Sequence, residues 1–216
     1  QPVPMNEGLM QNVKLVLPQG LLNPDFSNED KLPAVVGGNT EVSQRLTDTL
    51  IKAFGLAACS QGTMNNFLFG NERFGYYETI CGGTGAGKDF SGTDAVHQHM
   101  TNTRITDPEI LELRYPVRLE RFEIRKGSGG KGKWNGGDGI IREIVAREDL
   151  EINILSQHRK EKPYGLKGGS EGKTGNQYIL TKGKRKLKLK GMDSATLQTG
   201  DRLVIETPGG GAFGKK

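Results

Sequence analysis

The feature that most constrains the fold is the alternation of short β-like runs with glycine-rich connectors after Tyr115. The chain contains 32 glycines, many of them in connectors such as "KGSGGKGKWNGGDG" and "PGGGAFG". Short apolar and β-branched runs bounded by glycine are typical of antiparallel strands. The second half is therefore predicted to be mostly antiparallel β, with the glycines in turns and bulges. The runs are "VRLERFEI", "GIIREIVA", "LEINILS", "NQYILT", "RKLKLK" and "RLVIET".

The basic residues of this half are explained by the solvated side of its strands. Residues 111–216 contain 23 Lys and Arg against 13 Asp and Glu, and residues 1–110 contain 7 against 12, so the net charge changes from −5 to +10. Such asymmetry is one signature of nucleic-acid binding. Here the cations alternate with acids and lack an aromatic platform. The lysines around "TKGK", a predicted hairpin turn with Gly183 available for a positive φ, lie where alternation places them in water. We expect no nucleic-acid partner.

The clearest helix lies in the first half, in "NTEVSQRLTDTLIKAFGLA". Its apolar residues recur every four positions, the spacing of one helix face. Asn39 or Thr40 can cap its start, and Gly55 lies near its end. A short second helix is predicted in "TNTRITDPEILE", where Thr106 and Glu109 have capping-box spacing. The stripe of the first helix consists of Val42, Leu46, Leu50 and Phe54.

Together these elements predict an α+β fold. We expect a mixed α/β layer in residues 1–115, followed by a glycine-rich, mainly antiparallel β unit in residues 116–216 of the same domain. With 34% hydrophobic residues, the chain can bury an ordinary core. It shows no apolar run of about 18 residues and no signal-peptide pattern, so we expect a cytoplasmic protein without a membrane partner. Because the chain begins with Gln1 rather than Met, we interpret it as a fragment.

The stretch "CGGTGAGKD" at residues 81–89 nearly matches a phosphate-binding loop. Gly82, Gly87 and Lys88 have the required spacing, but Asp89 stands where the pattern needs Ser or Thr. A carboxylate there would repel the phosphates, and the residues that follow show no helical stripe. We expect a glycine turn packed against neighbouring backbone, with no ATP bound by this chain.

Three other groups could carry chemistry. His97 and His99 are two residues apart, so on an extended segment both rings would point the same way. Without further ligands nearby, this spacing is a weak metal signal. The polar segment "SQGTMNN", residues 60–66, could be a hydrogen-bonded turn or the wall of a substrate pocket. Cys59 and Cys81 lack metal-ligand spacing and are expected to be reduced thiols that do not act as nucleophiles.

Six blocks, in the same order along the chain, resemble the C-terminal part of the hydantoinase B/oxoprolinase family. The stretch "HMTNTRITDPEILELRYPV" is most similar to the members that act on 5-oxoproline. The resemblance covers essentially the whole chain, and six ordered blocks are more specific than any one motif. The blocks are "PAVVGGNTEVSQRLTD", "CSQGTMNNFLFGN", the stretch from "GYYETICGG" to "LELRYPV", "GSGGKGKWNGGDGIIRE", "PYGLKGG" and "TPGGGAFG".

The resemblance implies an ATP-dependent amidohydrolase of glutathione metabolism that opens 5-oxo-L-proline to L-glutamate, or opens a related ring such as a hydantoin. It implies that ATP and Mg²⁺ are handled by an A-type ATPase component, fused or separate, and not by this chain. It also implies that the N-terminal half of the B component, where a metal is possible, is absent here. This chain would form pocket walls in an oligomeric enzyme that binds a small lactam, and would be inactive alone.

The site residues expected from the resemblance are polar groups suited to a ring carboxylate, an oxyanion and a proton transfer. No metal ligand is expected in this chain. The acid–base candidates are Glu78, His97 and His99. The substrate-binding candidates are Ser60, Asn65 and Asn66, together with Asn102 and Arg104 for the carboxylate.

Two alternatives stay open at this point. Acetone and acetophenone carboxylases use related B-like subunits to activate a ketone, although the block "TNTRITDPEILE" argues against them. A non-catalytic basic β-module that binds nucleic acid or a partner is the other alternative. Its affinity for a non-specific duplex would fall steeply with salt.

Overall fold

The structure is a computed structural model that describes residues 7–11, 13–27, 32 and 41–216. The chain divides into two units, residues 1–36 and residues 37–216. The described part of the first unit contains a 3-10 helix, Glu7–Met10, and an antiparallel bridge between Gly20 and Asn23. The second unit, described from residue 41 onwards, contains the helices and strands that position the candidate site.

This second unit contains two helices and nine strands in its described residues. The helices are α1, Val42–Ala53, and α2, Pro108–Arg114. The strands are β1, Asn66–Asn71; β2, Phe74–Thr79; β3, Val117–Arg125; β4, Gly139–Ala146; β5, Leu150–Leu155; β6, Asn176–Leu180; β7, Lys186–Leu189; β8, Met192–Leu197; and β9, Arg202–Glu206.

The strands form two antiparallel sheets. One has four strands in the order β2-β1-β5-β8, and the other has five in the order β3-β4-β9-β6-β7. The predicted α+β class is confirmed. Because β1 and β2 precede residue 116 whereas β5 and β8 follow it, the four-stranded sheet draws on both predicted parts. A division between residues 1–115 and 116–216 therefore does not separate the two sheets.

All six runs that the sequence marked as strands are strands in the structure. β1, β2 and β8 were not among them. The predicted hairpin after Leu180 is present, and Leu180 pairs with Lys186 across it. The residue with a positive φ in this turn is Lys184, at 64°, and not Gly183. Lys186 and Lys188 are exposed, as alternation predicted.

One hydrophobic cluster joins the two sheets and α2. Alternating residues of each strand face inwards, as the two-residue period of a strand requires. Burying these side chains is the main source of stability, at roughly 1.5–3 kcal/mol for each large aliphatic or aromatic group. The cluster includes Phe67, Phe69, Leu111, Ile144, Ile152, Ile154, Ile179, Leu197, Leu203 and Ile205.

Helix α1 forms where its apolar period predicted, but the apolar stripe is not buried. Val42, Leu46, Leu50 and Phe54 are 46%, 44%, 51% and 75% exposed. The face turned to the protein carries Gln44 and Asp48 instead. The predicted caps Asn39 and Thr40 lie outside the described residues, and the side chain of Glu41, directly before the helix, makes no capping hydrogen bond.

The N-cap of helix α2 is Asp107, one residue later in the chain than the predicted Thr106. The Asp107 side chain accepts hydrogen bonds from the backbone N–H groups of Glu109 and Ile110. The hydroxyl of the predicted capping residue, Thr106, instead lies at hydrogen-bond distance, 2.9 Å, from the Tyr76 hydroxyl. An Asp N-cap with Pro at the first helical position is a common helix start.

The glycine-rich connectors form a layer of backbone on backbone. We call residues 82–87, 129–137 and 209–211 the glycine layer. Gly137 donates its N–H to the Thr84 carbonyl at 2.9 Å, and Gly210 donates to Gly137 at 2.8 Å. A Cβ on Gly210 would lie 1.8 Å from the Thr84 oxygen. Glycine is needed here because the backbones of neighbouring segments approach closely. The sequence had instead suggested that these glycines serve turns and bulges.

Candidate functional site

Two of the predicted substrate-binding residues are held by internal hydrogen bonds. Ser60 and Asn65 are buried. The Ser60 hydroxyl accepts from the N–H of Gly85 at 3.1 Å. The Asn65 amide donates to Gln61 Oε1 at 2.7 Å, and its oxygen accepts from Arg159 at 2.9 Å. These contacts join the segment to the glycine layer and favour the hydrogen-bonded turn over the pocket wall.

Asn66 has the same kind of environment at the start of β1. Its amide donates to Glu41 Oε1 at 2.9 Å, and its oxygen accepts from the Tyr77 hydroxyl at 2.6 Å. The same Glu41 oxygen accepts from the Thr63 hydroxyl and from the Met64 N–H, each at 3.0 Å. Burial raises the pKa of Glu41, and these donors oppose that rise. Glu41 therefore organises the segment, and no sequence pattern predicted this role.

Glu78, a predicted acid–base group, forms a buried ion pair. Its two carboxylate oxygens accept from Arg142 Nε at 2.7 Å and Nη2 at 3.0 Å, and the Tyr76 hydroxyl donates to the second oxygen at 3.0 Å. The side chains of Glu78 and Arg142 are 4% and 1% exposed. Burial raises the pKa of Glu78, whereas Arg142 and Tyr76 oppose that rise. Because both oxygens are occupied, the geometry favours a structural role.

His97 lines a cavity of about 290 Å³. Its Nδ1 is buried and has no hydrogen-bond partner among the described residues. Burial lowers the pKa of His97, so the imidazole is neutral near pH 7. His97 is therefore a residue of the cavity wall with one imidazole nitrogen that lacks a partner, and such a nitrogen can bind a ligand or accept a proton. The other lining residues are Cys81, Ala95, Thr103, Ile105, Phe122, Glu123, Ile124 and Ile140.

The segment after His97 turns alternate residues towards this cavity. Thr103 and Ile105 line it, whereas Asn102 and Arg104 are exposed and are not among its lining residues. The role in carboxylate recognition that was expected for Asn102 and Arg104 stays a prediction. Within the cavity, the polar side chains are those of His97, Thr103 and Glu123.

His99 does not share the environment of His97. It lies in a turn with φ at 56°, so the two rings are not on one side of an extended segment. Its Nε2 is 3.1 Å from Oδ1 of Asp48, on the buried face of α1. The same Asp48 oxygen accepts from the Ser60 N–H at 3.2 Å. The expected pairing of His97 and His99 in one pocket is therefore wrong in its geometry.

A second polar cluster lies beneath α1 and was not predicted from the sequence. His158 donates from Nδ1 to the Glu161 carbonyl at 2.8 Å, and Arg45 contacts its Nε2. The Cys59 sulfur is 3.7 Å from that nitrogen. Burial, reinforced by the Arg45 charge, lowers the pKa of His158 to about 4. Burial and the Asp48 carboxylate raise the pKa of the Cys59 thiol, so Cys59 and His158 are both neutral near pH 7.

A usable signal for this cluster was present in α1. Gln44 and Asp48 are four residues apart, on the helix face opposite the apolar stripe, and both are buried. A polar pair at this spacing usually faces water, because burying a carboxylate without partners is costly. The burial of Asp48 is explained by its contact with His99, 51 residues further along the chain, and by the hydrogen bond from the Ser60 N–H.

The near-match to a phosphate-binding loop lies in the glycine layer. Gly83 would place a Cβ 1.9 Å from the Gly137 oxygen, and Gly85 would place one 1.9 Å from the Ala58 oxygen. Other backbone therefore fills the space that phosphates would need. No helix starts between residues 88 and 107, all of which the structure describes. The predicted close-packed glycine turn agrees with this geometry.

We expect Lys88→Ala to leave the affinity for Mg-ATP unchanged in the full-length protein. Lys88 is exposed, and the N–H groups of residues 83–87 already donate to other protein groups. Calorimetric titration of the variant and the parent protein measures the two affinities. A loss of tenfold or more on removing Lys88 would show that the loop binds nucleotide.

Within the described part of the chain, no group of three or more His, Cys, Asp or Glu side chains is placed to hold a metal ion. None of the helices there is long and apolar enough to cross a membrane.

The chain belongs to the hydantoinase B/oxoprolinase family, whose model matches residues 1–216. It is 50% identical to 5-oxoprolinase 1 of Arabidopsis thaliana over 212 residues, which cover 98% of this chain and 16% of that protein. It is 48% identical to the 5-oxoprolinase of Dictyostelium discoideum over 215 residues, which cover 99% of this chain and 17% of that protein. The chain therefore spans about one sixth of the length of these relatives.

A solved structure has the same fold. The ATP-dependent caprolactamase from Pseudomonas jessenii superposes with a TM-score of 0.65 at 21% identity, over 74% of this chain and 30% of that one. At this identity the likeness supports the fold alone. It agrees with the two antiparallel sheets and two helices described above.

Proposed function

We propose that this chain forms part of the B component of an ATP-dependent cyclic amide hydrolase that converts 5-oxo-L-proline to L-glutamate. The observation that carries this proposal is the identity of 50% and 48% with two 5-oxoprolinases across nearly the whole chain. A hydantoin is the alternative ring within the same family. We propose further that the enzyme is cytoplasmic and contributes to glutathione metabolism.

The remaining parts of the enzyme are proposed to lie elsewhere in the longer protein or its assembly. This chain covers only 16% and 17% of the two relatives, so most of the catalytic machinery is supplied by other segments. The proposed partners are an A-type ATPase component that handles ATP and Mg²⁺, the N-terminal half of the B component with any metal, and further copies in an oligomer. The close-packed glycine layer supports placing ATP outside this chain.

Within this enzyme, we place the contribution of the chain at the His97 cavity. An unstrained lactam is a poor electrophile, and ATP supplies the activation of its amide oxygen. Attack of water on the activated carbon needs a base that removes the proton of that water. His97 is neutral near pH 7, and its Nδ1 has no partner among the described residues. Ile105 and Ile140 contribute apolar walls to the cavity.

Replacing His97 with alanine in the full-length enzyme, with its A component, should lower coupled lactam hydrolysis by roughly 100-fold. This is the scale of one lost acid–base group. The melting temperature should be retained, because the side chain is only half-buried and lies beside a cavity. Steady-state kinetics with 5-oxo-L-proline and a thermal melt measure the two effects. In the parent enzyme, we expect the acid limb of the rate profile below about pH 6.5, because burial lowers the pKa of this group.

His99→Ala is the matched control. It removes a histidine two residues away that contacts Asp48 rather than the cavity, so we expect a lower melting temperature and a turnover close to that of the parent. Equal turnover in the parent and in His97→Ala would show that this chain takes no part in the chemical step. Dependence of the reaction on bicarbonate and a ketone, in place of a lactam, would assign the enzyme to the carboxylase alternative.

A further inference from the structure

A second cavity, separate from that of His97, has an unusual charge. It has a volume of about 670 Å³ and lies between the segment 156–161, which follows β5, and the segment 188–192, which joins β7 to β8. Five cationic side chains line it, against the single acidic side chain of Glu161. Like charges that share one cavity repel each other, so a bound anion would lower the energy of this arrangement. The cations are Arg45, Arg159, Lys160, Lys188 and Lys190.

The central cation, Arg159, is fixed in place by neutral groups. Its Nη1 donates to the Gln157 carbonyl at 2.7 Å, its Nη2 donates to Asn65 at 2.9 Å, and its Nε contacts the amide oxygen of Gln177. A Cβ on Gly175 would lie 2.4 Å from Nη1, so the guanidinium packs directly on that backbone. A guanidinium held rigidly in this way loses little entropy when it binds a planar or tetrahedral oxyanion.

The charge of Arg159 has no direct counter-ion. Among the described residues, no carboxylate lies within ion-pair distance of Arg159, although Glu41 acts on it from further away. Burial lowers the pKa of Arg159 to about 9, so the group stays charged near pH 7. A half-buried charge without a direct partner carries a desolvation cost, and an anion in the cavity would supply the partner.

The rest of the lining defines the class of ligand. His158 is neutral near pH 7 and is already bonded to Arg45 and Glu161, so it adds no charge. Leu189 and Met192 provide an apolar wall beside the cations. We propose that this cavity binds a small organic oxyanion, with its carboxylate or phosphate against Arg159 and its carbon skeleton against Leu189 and Met192.

The test uses the full-length protein, with AMP-PNP added to fill a nucleotide site elsewhere, and two probes, inorganic phosphate and L-glutamate. Calorimetric titration gives the dissociation constant of each probe. Hydrogen–deuterium exchange locates the binding. We expect saturable binding of at least one probe, with slower exchange in peptides that cover residues 156–161 and 188–192. Which probe binds more tightly identifies the ligand as a phosphate or a carboxylate.

Variants that remove equal numbers of charges test whether the probe binds in the cavity. Lys188→Gln with Lys190→Gln should raise the dissociation constant about tenfold, the scale of removing two partly screened charges. Lys182→Gln with Lys184→Gln removes two exposed lysines that do not line the cavity, and should leave the constant unchanged. Arg159→Lys keeps the charge but removes the planar, hydrogen-bonded guanidinium, and should also weaken binding about tenfold.

Three results would overturn the proposal. These are the absence of saturable binding of both probes, equal effects of the two lysine pairs, and slower exchange only outside the two cavity segments. If Arg159→Lys does not fold, the comparison of the lysine pairs still decides the question. Because every readout is a binding measurement, an inactive enzyme that still binds the probe would contradict the proposed hydrolase function and leave this inference standing.

Discussion

Replacing Glu78 with glutamine should destabilise the fold by about 3–5 kcal/mol, the usual effect of removing one partner of a buried ion pair. The substitution keeps the size of the side chain but leaves the Arg142 guanidinium, 1% exposed, without its carboxylate. Arg142 lies in β4 and Glu78 in β2, so the pair connects the two sheets. Chemical denaturation of the full-length protein measures the loss, and hydrogen exchange in peptides from β2 and β4 locates it.

Glu148→Gln is the control for this prediction, because Glu148 pairs with Arg73 at an exposed position. Removing that carboxylate should cost no more than about 1 kcal/mol. Joining Glu78→Leu to Arg142→Met should recover most of the stability, since an apolar pair carries no unpaired charge. Similar losses for Glu78→Gln and Glu148→Gln would contradict the buried-pair explanation. Activity that falls without any loss of stability would instead favour the acid–base role predicted for Glu78.

Six of the seven strands in the second half were predictable because each of the six has a local signal. β4 and β9 are short apolar runs bounded by glycine or proline connectors, and period-two patterns remain visible in β5 and β7. β8, "MDSATL", has no such signal. Its place in the sheet depends on pairing with β5, where Leu150 lies opposite Leu197 and Ile152 opposite Ala195. A strand whose position depends on its partner rather than on its own residues cannot be predicted from local sequence patterns.

The candidate site was predicted less well, because its geometry depends on contacts between distant segments. The spacing of His97 and His99 suggested a shared direction only on an extended chain. The chain is not extended there, because His99 lies in a turn with φ at 56°. Its ring contacts the buried Asp48 of α1, in a different part of the protein from His97. The polar cluster at Ser60, Asn65 and Asn66 was correctly recognised as unusual. Its hydrogen-bond partners come from segments up to 94 residues away, which explains why its role was not predictable.

Gly210→Ala should destabilise the fold more than Glu78→Gln does. We expect a loss of about 4 kcal/mol or more in the free energy of unfolding, with failure to fold as the extreme result. The added methyl group would lie 1.8 Å from the Thr84 oxygen and 2.2 Å from its carbonyl carbon. These are backbone atoms that are themselves bonded to Gly137, so no side-chain rotation can relieve the overlap. The φ of Gly210 is not in the left-handed region, and the cost is therefore steric rather than conformational.

Gly75→Ala provides the comparison that isolates this cause. Gly75 lies in β2, has no positive φ, and would place a Cβ with nothing within 4 Å, so alanine there should be neutral or stabilising by a few tenths of a kcal/mol. Soluble yield and thermal melting of the two full-length variants measure the difference. A stable Gly210→Ala protein would mean that the glycine layer can open. Backbone that can open at Thr84 could also admit phosphate groups, so that result would reverse the argument against nucleotide binding at residues 81–89.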